Sequence, residues 1–360
     1  MHRPDFPTLR RVAGGLLTGA CFAAAFVASA LFIGAHLPFP DVAEAGEKHA
    51  WFAQYGDRYD ALFLGSSRIE MQIVPAVFNQ RAAELGRPLT VFNAGVSAMT
   101  PPEDAYFFDA LVRCPHPRLR WVFIELLPVA LKPDRTRREG GRLAYWHDRE
   151  RSAILWQCFA AEVRWTRAAL GQKKQRAKSW TARLTEYGGP AGQYLEHVRL
   201  FLQREVNLGT AVPFAARFVT GTPPLPSTAE DGWVKSPGVL AATALADYER
   251  SLTERRETPQ TSKPGNPAGA VALHRLLEKI ARAGAAPVLL IPPTTGPSRF
   301  EPPPDIRQSC IVLDFSDPRE FPELFAPENR LDSEHLSAAG APVFTRLVAE
   351  RFAATLAARP

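Results

Sequence analysis

The chain has 360 residues, of which 46% are hydrophobic and 22% are charged, and its net charge is +6. This composition is typical of a globular protein and excludes a disordered or collagen-like chain. Because acidic and basic residues are mixed along the chain, the charge favours solubility or contact with a membrane surface and does not indicate a nucleic-acid partner.

The N-terminal segment predicts a single transmembrane helix. The stretch from Val12 to Ala35 carries no charge and is long enough to span a bilayer as a helix. Arg3, Arg10 and Arg11 precede it. The positive-inside rule then places the N-terminus in the cytoplasm and the rest of the chain outside it. One alternative is a cleaved signal peptide ending near Ala30, although the apolar run is long for one. Another is a lipoprotein box over Leu17 to Cys21, although apolar residues continue past Cys21.

Strands and helices alternate in two parts of the chain after the anchor. A helical connector from Val42 to Arg58 comes first, and the apolar runs that follow predict five strands: Tyr59 to Leu64, Leu89 to Asn93, Arg120 to Leu127, Pro287 to Ile291 and Ile311 to Phe315. The intervening helices are predicted over 74–85, 102–112, 270–282 and 337–357. Near-continuous apolar strands alternating with helices indicate an α/β fold with a doubly wound five-stranded parallel sheet in a three-layer sandwich.

The predicted domains follow from this alternation. They are an anchor with a cytoplasmic stub (1–38), a first part of the core (39–130), a largely helical insertion (131–267) and a second part of the core (268–360). Within the insertion, Glu162 to Arg183 is basic and amphipathic, which fits either a solvated helix face or contact with anionic lipid. The pair His147-Asp148 is interpreted as surface loop. The four cysteines have no metal-ligand spacing and favour buried thiols over a disulfide.

Three segments at predicted strand ends carry candidate chemistry, because ligands of open α/β sheets bind beyond the carboxyl ends of the strands. The first is Gly65-Ser66-Ser67, where a glycine turn can expose a serine hydroxyl, although helix capping by Ser66 or Ser67 is common at strand-to-helix junctions and is the favoured explanation for this block alone. The second is Gly95, whose N–H can meet an oxyanion. The third pairs Asp332 with His335, and the carboxylate can orient the imidazole as a general base. Taken alone, each segment has an ordinary structural explanation.

Together, in this order, the three segments resemble the SGNH/GDSL hydrolase family. Gly65-Ser66-Ser67 stands where that family has Gly-Asp-Ser, and Asp332 to His335 matches its D-x-x-H block before the last helix. More narrowly, the chain is similar to bacterial membrane-anchored members that act on envelope or secreted polysaccharides. The resemblance covers about 36–130 and 268–360 and leaves the middle unmatched.

This resemblance implies Ser67 as nucleophile, His335 as base, Asp332 as orienting residue, and the N–H groups of Ser67 and Gly95 as the oxyanion hole. It implies no metal and no cofactor. The family's asparagine after the third strand is missing, since Ile124-Glu125-Leu126 stands there, and losing one such donor costs about 3 kcal/mol in related chemistry. Arg68 and Glu125 are further candidates for substrate binding, although a structural role is favoured for both.

The expected function is an extracytoplasmic serine esterase or O-acyltransferase acting on O-acetyl groups of a glycan, single-pass in a bacterial inner membrane with its catalytic domain in the periplasm. Polysaccharide-synthesis machinery is a candidate partner. Two alternatives stay open: a non-catalytic subunit for polysaccharide binding or export, which the missing asparagine favours, and an esterase for membrane lipids.

Overall fold

The computed structural model describes residues 6–36, 39–40, 42–129, 131, 133, 142–172, 190–206, 230–257, 261–263, 267–296 and 298–358. Its helices are α1 Phe6–His36, α2 Ala43–Tyr55, α3 Ser67–Gln72, α4 Pro75–Glu84, α5 Glu103–Val112, α6 Arg142–Tyr145, α7 Arg149–Gln172, α8 Pro190–Val206, α9 Leu245–Glu257, α10 Pro267–Arg282, α11 Pro304–Ser309 and α12 Gly340–Ala357. Its strands are β1 Ala61–Gly65, β2 Val91–Gly95, β3 Trp121–Glu125, β4 Thr261–Lys263, β5 Ala286–Ile291, β6 Ser298–Phe300 and β7 Ile311–Asp314.

Five strands form one parallel sheet in the order β2-β1-β3-β5-β7. Every residue of β1 and β2 is buried, as expected of strands covered on both faces. The predicted α/β class, the five parallel strands and the helical insertion are confirmed. Because β1 lies between β2 and β3, the chain moves outward from β1 in both directions, which makes the end of β1 a topological switch point.

Successive side chains of each strand point to opposite faces of the sheet and pack into two apolar layers, one on each face. Leu62 and Leu64 of β1 pack with residues of α2, α5 and α10 on one face of the sheet. Ala61 and Phe63 pack with residues of α4, α9 and α12 on the other face. There the Phe63 and Phe123 rings stack with centroids 4.2 Å apart. Both faces are therefore sealed, and polar side chains collect at the ends of the strands.

Several short elements were not predicted from periodicity. The six residues of α3 directly follow β1, and β4 pairs with β6 in a separate two-stranded parallel sheet. Segments of three to six residues are too short to display a hydrophobic period. The last helix begins at Gly340 and not at the predicted Ser337, whose hydroxyl accepts from the Gly340 N–H at 3.2 Å.

Part of the insertion is buried, where a surface loop was predicted. His147 is fully buried, its ring stacks on Trp146, and its Nε2 lies 2.8 Å from Nδ1 of His197 on α8. The surface-loop prediction is wrong because the partner comes from 50 residues further along the chain. The basic segment beyond residue 172 and the proline-rich stretch before residue 230 lie outside the described residues.

Helix α1 is long and apolar enough to cross a membrane over Arg11–Gly34, with a mean hydropathy of 2.2. A signal sequence near the N-terminus can meet the same criteria of length and composition, so the helix is consistent with either an anchor or a signal peptide. Among the described residues no disulfide is present; Cys158 and Cys310 are buried, whereas Cys114 is half-buried and Cys21 is exposed.

Candidate active site

Ser67 sits at the switch point, as the first residue of α3. The preceding residue, Ser66, caps this helix, because its hydroxyl accepts from the Arg68 N–H at 3.3 Å. The capping explanation therefore applies to Ser66 and not to its neighbour. As the first helical residue, Ser67 has a backbone N–H without an intrahelical acceptor.

Ser67, His335 and Asp332 are brought together from opposite ends of the chain. The Ser67 Oγ lies 2.8 Å from Nε2 of His335, and Nδ1 of that ring lies 3.0 Å from both carboxylate oxygens of Asp332. A carboxylate accepts, so Nδ1 carries the proton and Nε2 is left to accept from the serine hydroxyl. This is the hydrogen-bond order of a nucleophile, a general base and an orienting group.

The Asp332 carboxylate also stabilises the turn of the loop that carries His335. Its Oδ1 accepts from the backbone N–H groups of Glu334 and His335, each at 2.7 Å. Partial burial works to raise the pKa of Asp332, but the hydrogen bonds from the His335 ring and from those two N–H groups outweigh it and lower the pKa to about 2. Asp332 is therefore ionised at neutral pH, as an orienting carboxylate must be.

Arg330 shapes the same loop from beneath and was not predicted from the sequence. Its guanidinium is fully buried and donates to the carbonyl oxygens of Asp332 and Ser333 at 3.1 and 2.7 Å, and also to that of Pro293. A buried arginine satisfied by carbonyls fixes the path of the backbone. Because its partners are backbone carbonyls, no pattern of residue types marks this role in the sequence.

Glu125 and Arg68 brace the turn that presents Ser67. The Glu125 side chain is fully buried at the end of β3; one carboxylate oxygen accepts from the Ser66 N–H at 2.6 Å, and the other accepts from Arg68 Nε at 2.6 Å. Arg68 also pairs with Glu334 at 3.1 Å, which joins the turn to the His335 loop. The structural role favoured from sequence agrees with these contacts.

The Gly95 N–H was predicted to be an oxyanion donor, but in the structure it has a different hydrogen-bond partner. It donates to Oδ1 of Asn93 at 2.9 Å, so the N–H already has an acceptor inside the protein. Asn93 is fully buried, and its amide nitrogen donates to the carbonyls of Ile69 and Ile73 at 2.8 and 2.7 Å. A Cβ on Gly95 would lie 2.3 Å from the Glu70 backbone nitrogen, so the glycine is required for β2 to approach α3 closely.

A buried charge network lies beside this second turn. Lys48 of α2 pairs with Glu70 at 3.3 Å and donates to the Gly95 carbonyl, while the Ser97 hydroxyl donates to Glu70 at 2.6 Å. Burial lowers the pKa of Lys48, and its pairing with Glu70 opposes that shift. The connector helix α2 is thereby tied to two elements that border the site.

Searches with this chain found no matching family model, no matching curated protein and no matching solved structure. The class that the fold defines is a five-stranded parallel α/β sandwich, consistent with the flavodoxin-like and SGNH folds. The arrangement at its switch point has the geometry required for nucleophilic catalysis by a serine.

Proposed function

We propose that this protein is an extracytoplasmic serine esterase or O-acyltransferase that acts through an acyl-serine intermediate on O-acetyl groups of a cell-envelope or secreted glycan. One observation carries the proposal: Ser67 Oγ, His335 and Asp332 form a continuous hydrogen-bonded chain at the switch point of the sheet. Such a chain activates a hydroxyl that is otherwise a weak nucleophile.

In the first half of the reaction, Ser67 Oγ attacks the ester carbonyl while His335 Nε2 takes its proton. Asp332 stabilises the imidazolium that results. The oxyanion of the tetrahedral intermediate accepts from the Ser67 N–H at the start of α3, where the helix dipole also favours negative charge. The intermediate then collapses, the C–O bond to the alcohol breaks, and His335 returns the proton to the departing oxygen.

In the second half, water or a sugar hydroxyl attacks acyl-Ser67 while His335 accepts its proton; the bond between the acyl carbon and Ser67 Oγ then breaks, and His335 returns the proton to Oγ. Water gives hydrolysis, and a sugar hydroxyl gives transfer. The Gly95 N–H is committed to Asn93, and the asparagine expected after β3 is replaced by the bracing Glu125. With fewer donors for the oxyanion, the chemistry is expected to be slow, which suits transfer within a bound complex as well as hydrolysis.

The cellular setting follows from α1 as an uncleaved anchor. Its basic N-terminal flank places the catalytic domain on the periplasmic side of a bacterial inner membrane. An esterase there has access to envelope and secreted glycans, and polysaccharide-synthesis machinery is a suitable partner. The glycan assignment depends on the sequence resemblance, and the residues of the site do not name a sugar.

A second candidate function is a non-catalytic glycan-binding or export subunit. The observation that favours it is the internal use of the Gly95 N–H, which leaves an incomplete oxyanion site. The hydrogen-bonded Ser67, His335 and Asp332 argue for catalysis, since a binding protein has no need of an activated hydroxyl.

The test is fluorophosphonate labelling and acetyl-ester turnover by the full-length protein, with wild type beside Ser67→Ala. We expect both signals to disappear in Ser67→Ala. The matched control is Ser66→Ala, which removes only a helix cap worth about 1 kcal/mol and should still label. A folded wild type that neither labels nor turns over ester would favour the binding function, and a preference for long acyl chains would indicate a lipid esterase.

A further inference from the structure

The second and third helices of the insertion form an apolar surface beside the anchor helix. Between α7 and α8 lies an open groove of about 510 Å³, lined largely by apolar side chains that include Tyr194, Val198 and Phe201. Trp156 forms one wall and is 57% exposed, with its ring 5.0 Å from that of Tyr194. An exposed tryptophan beside an apolar groove indicates a binding surface.

Helix α8 extends this surface along one face. Leu195 is 66% exposed and Leu202 is 49% exposed, and exposed Arg199 lies between them. Spacings of four and three residues place the three side chains on the same side of the helix. An apolar stripe carrying an arginine suits a phospholipid surface, because the methylenes of arginine cover apolar area while the guanidinium reaches phosphate.

The position of α1 fixes the depth of this surface. Helix α1 contacts α8, and of the side chains described in α1 the buried one is Ala30. Ala30 lies four residues before Gly34, the end of the apolar span, which corresponds to about 6 Å along the helix. The body of the protein therefore packs on α1 below the end of the span, at the depth where amphipathic helices settle in the headgroup region.

We propose that α7 and α8 lie in the outer interface of the bilayer that α1 spans, with Trp156, Leu195 and Leu202 in contact with phospholipid. This inference rests on α1 being the uncleaved anchor of the proposed function. A bilayer is favoured over a second copy of the chain or a single acyl ligand because α1 carries α8 to that depth whatever else binds. Tryptophan is also enriched at this level of membranes.

The test is spin labelling of the full-length protein in vesicles of phosphatidylethanolamine and phosphatidylglycerol. Leu195→Cys and Leu202→Cys are made in a Cys21→Ala, Cys114→Ser background, where the remaining cysteines are buried. Leu85→Cys is the matched control, because Leu85 is an exposed leucine at the end of α4, on the opposite face of the sheet. Native Cys21, labelled in a Cys114→Ser chain, reports whether α1 is inserted.

We expect the labels at 195 and 202 to collide with oxygen more, and with a water-soluble nickel chelate less, than the label at 85. Water-like collisions at both positions with a lipid-like Cys21 would overturn the inference and leave the anchor intact. A water-like Cys21 would remove the anchor and the inference together. Spin–spin broadening that disappears on dilution with unlabelled protein would assign the surface to a second copy and also overturn it. Fluorophosphonate labelling of the same samples reports the esterase function independently.

Discussion

Two turns at the same edge of the sheet look alike in sequence and behave differently. Gly65 and Gly95 are register partners at the ends of β1 and β2, and each is followed within two residues by a serine. After β1, the Ser67 hydroxyl points to His335. After β2, the Gly95 N–H goes to Asn93 and the Ser97 hydroxyl goes to Glu70. The difference lies in the neighbours, because a polar group at the strand ends is available for chemistry only where no internal partner uses it.

The largest expected effect comes from removing the partner of the first turn. His335→Gln keeps a polar side chain but cannot accept and return the proton, so the rate of fluorophosphonate labelling should fall on the order of 10³-fold or more. The control is His274→Gln, which alters an exposed histidine on α10. Equal labelling of wild type and His335→Gln would show that the contact with Ser67 has no catalytic role.

A methyl group at the second turn should cost stability. In Gly95→Ala the new Cβ meets the Glu70 backbone, so we expect the urea-derived free energy of unfolding to fall by about 3 kcal/mol. Gly65→Ala should cost a comparable amount, because its new Cβ would lie 2.5 Å from the Cβ of Glu125, a buried side chain that is held in place by Ser66 and Arg68. Gly238→Ala, whose closest contact is 3.7 Å, is the neutral control, and a Gly95→Ala protein as stable as that control would refute the close packing.

Replacing the amide that occupies the second turn should also destabilise the fold. Asn93→Leu leaves the Gly95 N–H and the Ile73 carbonyl without their partner and removes one of the two donors to the Ile69 carbonyl, at a cost of about 2–3 kcal/mol. Gln80→Ala, which loses one exposed hydrogen bond from the Gln80 side-chain amide to Glu84, should change stability by less than about 0.5 kcal/mol. Equal urea midpoints for the two variants would mean that Asn93 is not the structural element described above.

The brace of the first turn should affect rate more than stability. Glu125→Gln cannot accept from both Ser66 N–H and Arg68, so the turn loses one bond and Ser67 is held less precisely. We expect labelling about tenfold slower, since small displacements of a nucleophile are costly. The matched control is Glu350→Gln, which weakens a surface pair with Arg81. An unchanged labelling rate would assign Glu125 to packing alone.

The smallest expected effect is a difference in how the stability contributions of the two turns depend on pH. Asp332 has a folded pKa of about 2, below the ordinary value for aspartate, so its contribution to stability is present above about pH 4 and is lost as the pH falls towards 2. Above about pH 4, Asp332→Asn should lower the free energy of unfolding by less than about 1 kcal/mol, because the side chain is half exposed. This loss should shrink as the pH falls towards 2. The penalty of Asn93→Leu, which removes a neutral amide, should not vary with pH.

The sequence was sufficient for the sheet because buried parallel strands appear as separate apolar runs. Ser67, Asp332 and His335, selected because they lie directly beyond strand ends or before the last helix, lie within hydrogen-bond distance in the structure, and their catalytic role remains a prediction. The sequence was insufficient for Gly95, because the acceptor of that N–H depends on the rotamer of Asn93. Arg330 and the His147–His197 pair were missed for a related reason: their partners are backbone carbonyls or distant residues that leave no local pattern.

The attachment of α2 has a consequence for where the protein can work. Only six residues separate α1 from α2, and α2 is fastened under the second turn by Lys48. Even fully extended, that connection reaches about 25 Å. With α1 in a bilayer as an uncleaved anchor, the domain would be confined to a thin layer above the lipid, and its search for a substrate would be restricted to two dimensions.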